Sequence, residues 1–315
     1  MVAVGSEEYI YEVAAPDWAK LPLKYIFTTV PGLAVDSEDR LYVFNRHPNH
    51  LFILDRNGNY VTTWNERIFE NYALHSPHGF YIGPDEKVYI TDVRDHTVRK
   101  FTLDGKLLLT LGAEGKPGKE GEPFRRPAGA AISSSGDIFV ADGYDNAKIH
   151  KFSPEGELLL SWGKPGTAPG EFNLPHGVWV DKDDRVWVAD RQNNRLQLFT
   201  TEGKYLNQFT DFNLPSTVFI DSEDTVYVPE IAGRMSILNL DGKLLARWGS
   251  DKRFLMDFVS KSRGDFIPYR EIMSKCLKGP GQFSAAHACW ADSRGDLYVG
   301  EVESGQRVQK FIRKR

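Results

Sequence analysis

The hydrophobic and polar positions of this chain fall into one sentence written six times. In "PHGVWVDKDDRVWVAD", Pro175 to Asp190, an apolar run meets a polar turn and then a strand of alternating apolar residues. A loop leads to a third strand, "RLQLF", then to the turn "TEGK" and a fourth strand, "YLNQF". Runs rich in β-branched and aromatic residues, bounded by Gly, Asp and Asn, are hairpin signals. The same pattern starts at Val30, Pro77, Pro127, Pro175, Pro215 and Ala286, with spacings of 47, 50, 48, 40 and 71 residues. Four short antiparallel strands in a repeat of this length make one propeller blade. No crossover helix separates the copies, which argues against a parallel α/β sheet.

The last copy holds only three strands, "ACWAD", "DLYVGEV" and "RVQKFI". Ahead of the first copy lies an orphan strand, "EYIYEVA", Glu8 to Ala14. Pairing the two completes the last blade and leaves no open edge. The fold class predicted is therefore all-β, a six-bladed β-propeller spanning residues 1–315 as one domain. The long spacing before the sixth copy predicts an insertion at about 250–283, with a short helix in "RFLMDFVSKSRGDFIPYREIMSKCL".

Composition narrows the classes of partner. A net charge of −4 gives no basic field for nucleic acid. The apolar runs are far too short to span a bilayer as helices, for which about 20 residues are needed. The first residues, "MVAVGSEEYIYEVAAPDW", lack a basic segment and a long apolar core, so no secretory signal is read there. Two cysteines, Cys276 and Cys289, are too few for a disulfide framework, and a cytoplasmic location is expected. The partner expected is a small molecule.

The second position of the innermost strand carries the strongest chemical signal. It is Pro31, His78, Ala128, His176, Ser216 and His287 in the six copies. Histidine stands in alternate blades, and innermost strands line the channel of a propeller. Three imidazoles at one level with an open fourth position suit a catalytic zinc ion, or another divalent metal that takes imidazole. The plainer alternative is a strand-capping histidine within the repeat grammar. His47, His50, His75, His96 and His150 share no slot, and His96 is expected to bond a loop, as Asn194 would in blade four.

The second strands end at Asn45, Asp92, Asp142, Asp190, Glu230 and Glu301, a repeated polar position expected to tie blades together. The residues just beyond vary, and variable loops on a rigid scaffold carry function. Arg46 and Arg191 are candidates for holding a substrate carboxylate. Tyr144 is a candidate acid or base. Solvated charges or inter-blade ion pairs account equally for the arginines, and plain packing for Tyr144.

These motifs bring a family into view. The repeats look like NHL repeats, and the chain resembles the peptidyl-α-hydroxyglycine α-amidating lyase domain. The resemblance is carried by "PHGFYIGPDEKVYITDVRDHTVRKF", "GDIFVADGYDNAKIHKFSPEGELLLSWG" and "PGEFNLPHGVWVDKDDRVWVADRQNNRLQLF". It implies a six-bladed propeller, a Zn2+ ion on His78, His176 and His287, a catalytic Tyr144, and functional arginines at Arg46 and Arg191. It implies cleavage of a carbinolamide to an amide and glyoxylate. The chain departs from the family at "SAAHAC", where Ala285 and Ala288 replace residues around the third histidine, so no structural Ca2+ ligand carries over. Asp145 stands beside Tyr144 where the family has a disulfide cysteine. A small hydroxylated amide or hemiaminal is the expected substrate. The alternatives are a hydrolase on the same three histidines, a non-catalytic propeller that binds a protein, and a calcium lactonase using Glu301 and Glu303.

Overall fold

The computed structural model describes residues 2–46, 51–64, 68, 76–249, 279–302 and 305–314. Most of the expected insertion, together with His47, His50, His75, Cys276 and Glu303, lies outside the described residues. The described residues form six sheets, five of four strands and one of five, each antiparallel throughout. The fold class is the six-bladed β-propeller predicted. Among the described residues, apart from a 3-10 turn at Arg191–Asn193, the named elements are all strands, and no helix is long and apolar enough to cross a membrane.

The chain divides into two compact units, 64–218 and the pair 1–63 with 219–315. The first unit contains blades two, three and four. Their innermost strands are Pro77–Ile82, Gly129–Ile132 and Pro175–Val180. The sequence pattern predicts alternation in the second strand, yet Ile138–Asp142 of blade three is buried at every position. Blade three packs between blades two and four, so both of its faces lose water, as in a sheet covered on both sides. The outermost strand, Leu158–Trp162, keeps exposed positions. Aromatic pairs fill the space within and between blades: Phe124 against Phe152 at 5.5 Å, Phe172 against Phe199 at 5.7 Å, and Trp187 stacked on Phe209 at 5.3 Å.

The second unit contains blades five, six and one. Blade six closes as the sequence predicts: Tyr9–Val13 pairs with Val308–Arg313, with Tyr11 opposite Arg313 and Val13 opposite Phe311. A further strand, Ala3–Ser6, pairs with Tyr9–Val13 and makes this sheet five-stranded. The innermost strand of blade five is only Phe219–Ile220. Cys289 is buried in the innermost strand of blade six, and burial pushes its thiol pKa well up. A buried, neutral thiol of this kind is inert.

The glycine after the slot has a steric reason. A Cβ on Gly177 would lie 2.5 Å from Thr217 Cα, and one on Gly79 2.6 Å from the Ala128 carbonyl oxygen. Backbone of the next blade passes too close for a side chain. Overpacking of this type costs about 1–3 kcal/mol. Gly177→Val is therefore expected to lower unfolding stability by about 2 kcal/mol or more in a urea titration; an unchanged midpoint would contradict the close approach.

Candidate metal centre

Each slot histidine is buried: His78 at 1% exposure, His176 at 2% and His287 at 6%. In the first unit, His78 Nδ1 lies 2.8 Å from the Ala128 carbonyl oxygen and His176 Nδ1 lies 2.6 Å from that of Ser216. In the second unit, His287 Nδ1 lies 2.7 Å from the Pro31 carbonyl oxygen. Every acceptor is the slot residue of the following blade. A carbonyl only accepts, so Nδ1 carries the proton and Nε2 holds the lone pair in the neutral ring. This is the tautomer that a metal-binding histidine adopts when a second group fixes its other nitrogen. Each histidine is thus paired with the backbone carbonyl of a non-histidine slot on the next blade.

Tyr144 meets two of these rings. Its hydroxyl lies 2.9 Å from His78 Nε2 and 3.1 Å from His176 Nε2. Its ring stands edge-on to both, at interplanar angles of 86° and 74°. The two imidazoles are themselves 4.8 Å apart, centroid to centroid. The loop that carries Tyr144 is set by Gly143, where a Cβ would fall 1.9 Å from the Pro175 carbonyl oxygen. Only glycine lets "DGY" press onto the start of blade four. One hydroxyl proton serves one nitrogen at a time, and two lone pairs converge on the same oxygen. Neutral imidazoles aimed at one spot beside a phenol are a donor set that fits a divalent cation.

The guanidinium of Arg191 lies 5.5 Å from the Tyr144 ring centroid. Among the described residues no carboxylate pairs with it. The first unit therefore brings together His78, His176, Tyr144 and Arg191. Arg46 and His287 belong to the other unit; the Arg46 N–H donates to the Thr29 carbonyl at 2.9 Å, and its side chain is exposed. Sequence reasoning missed Arg126, whose guanidinium carbon is 5.3 Å from the same Tyr144 centroid. It precedes the aligned copy in blade three, so comparing slots never reaches it.

The repeated polar residues are architectural. Asn45, Asp92, Asp142, Asp190 and Glu301 accept backbone N–H groups from Thr28, Ser76, Arg125, Asn173 and Ser284, at 2.7–2.9 Å. Each pins the segment arriving from the preceding blade. Burial raises the Asp190 carboxyl, while bonds from Asn193, the Asn173 N–H and Arg195 act the other way. Glu301 is engaged in this way and also pairs with Arg307. His150, bonded to Ser161 and Asp142, belongs to the same framework.

The chain matches the NHL repeat model over residues 74–101, 124–152 and 172–199, within blades two, three and four. The chain carries NHL repeats. It is 34% identical over 229 residues to the human NHL repeat-containing protein 3, covering 67% of this chain and 64% of that protein. It is 32% identical over 264 residues to the Drosophila melanogaster peptidyl-alpha-hydroxyglycine alpha-amidating lyase 1, covering 79% of this chain and 46% of the fly protein. The chain thus spans less than two thirds of these relatives. In fold it is similar to a gluconolactonase from Xanthomonas campestris, at a TM-score of 0.62 and 14% identity, covering 99% of this chain and 97% of that one.

His96 plays the loop role expected of it. It sits at φ 57° and accepts the Arg126 N–H on Nδ1 at 3.1 Å, as Asn194, at φ 55°, accepts the Leu214 N–H at 2.9 Å. Losing a partner for such an N–H costs about 1–3 kcal/mol. His96→Ala is expected to lower the urea midpoint accordingly and His96→Asn to preserve it; equal effects of the two would remove this role.

Proposed function

We propose that this NHL propeller is a metal-dependent lyase that cleaves a small carbinolamide into an amide and glyoxylate. The observation that carries the reading is the Tyr144 hydroxyl within hydrogen-bonding reach of His78 Nε2 and His176 Nε2. Both nitrogens are held as lone-pair donors by carbonyls behind them. We assign His287 to the same centre because it occupies the same slot, is buried, and is anchored through Nδ1 in the same way. Zn2+ is the first choice for three neutral imidazoles, though other divalent metals accept this set. When bound, the metal supplies Lewis acidity, which makes a substrate hydroxyl easier to deprotonate.

The protein's own groups account for the rest. The substrate is an N-acyl-α-hydroxyglycine, in which one carbon bears the hydroxyl, the amide nitrogen and the carboxylate. Arg191 binds the carboxylate, for which a guanidinium fork has the right geometry. Tyr144 Oη, entering the step as the phenolate, takes the hydroxyl proton. The electron pair left on oxygen forms the carbonyl of glyoxylate as the carbon–nitrogen bond breaks. Tyr144 then returns the proton to the departing amide nitrogen. No net water or oxidant is consumed. The name of the fly relative supports this substrate class.

The test is release of glyoxylate from α-hydroxyhippurate. Tyr144→Phe is expected to lower kcat by about 100-fold or more, the usual scale for removing a general acid–base, while leaving bound metal unchanged. Turnover undiminished in that variant would remove Tyr144 from the chemistry. Hydrolysis of an amide or ester without glyoxylate release would favour a hydrolase on the same residues.

A further inference from the structure

We propose that Arg126 determines specificity, selecting substrates that carry a second carboxylate in their acyl portion. This rests on the carbinolamide reading above for the chemistry, but not for the charge recognition.

The residue just before the proline that opens the copy is left-handed in blades three, four and five: Arg126 at φ 69°, Leu174 at 67° and Leu214 at 56°. Two of these blades place leucine there, and Leu214 is buried. Blade three departs from that apolar choice, as the histidine slots depart from theirs. A non-glycine residue in this region needs support, and His96 provides it through the Arg126 N–H. The backbone is fixed by a residue thirty positions away, while the long side chain is left 43% exposed.

That side chain reaches the candidate centre. Arg126 and Arg191 both lie within 5.5 Å of the Tyr144 centroid, so their guanidinium carbons are no more than about 11 Å apart. Two cations beside one phenol exceed what a single carboxylate needs. The only acid paired with the Arg126 side chain among the described residues is Asp145, at 3.4 Å, itself 43% exposed. Exposed pairs of this kind are weak and exchange readily with other anions. Asp145 therefore holds Arg126 beside the site without occupying it. A substrate whose first carboxylate is bound by Arg191 presents its second to Arg126, displacing Asp145.

Isothermal titration of the metal-loaded full chain tests this with two unreactive probes, N-succinylglycine and N-succinamoylglycine. They differ by one charge, and both lack the α-hydroxyl. The wild type is expected to bind the dianion roughly fivefold more tightly, the scale of one exposed charge contact, with the preference shrinking as salt rises. Arg126→Gln should bind the two equally, Arg126→Lys should keep the preference, and Asp145→Asn should enlarge it. An undiminished preference in Arg126→Gln, or none in the wild type, overturns the assignment. Absence of glyoxylate release alongside an intact preference would instead count against the lyase reading alone.

Discussion

A hydrogen bond from imidazole Nδ1 to the slot carbonyl of the following blade governs the candidate centre. It recurs at His78, His176 and His287, at 2.6–2.8 Å. Its chemical effect is to choose a tautomer, since a ring that gives its Nδ1 proton to a carbonyl turns its Nε2 lone pair the other way. Its structural cause is the tight passage of neighbouring innermost strands, visible at Gly79 and Gly177. Blade six manages the same bond with Ala288 in place of glycine. Repeat architecture and site chemistry thus meet in one contact, and the blades that lack histidine still take part by offering a carbonyl.

The rest of the site is built outward from that contact. Gly143 lets the loop of blade three lie on the start of blade four, which puts Tyr144 against two imidazoles. The 3-10 turn Arg191–Asn193 follows the second strand of blade four and leaves Arg191 beside the same phenol. The carboxylates at the strand ends hold the incoming segments in place. They are framework, their oxygens engaged by backbone N–H groups.

Much of this was legible in the sequence. Blades are visible because the polar turns and apolar strands recur at nearly constant spacing, and the histidines stand out because they break the repeat at a single slot. The Nδ1 anchors were not legible, because they depend on how closely the backbone of the next blade approaches. The fully buried second strand of blade three was hidden for a related reason: alternation fades when both faces are covered. Arg126 escaped because its position depends on His96, which no local pattern links to it. Arg46 and Arg191 occupy equivalent places after the second strand, so sequence comparison treats them alike; the fold puts Arg191 beside Tyr144 in one unit and Arg46 in the other.

We propose that the three slot histidines hold one metal ion. Metal content of the purified protein, measured by mass spectrometry after dialysis against dilute chelator, tests it most directly. One divalent ion per chain is expected, lost or greatly weakened in each of His78→Ala, His176→Ala and His287→Ala while urea unfolding stays cooperative. Metal content unchanged in those three variants would contradict it.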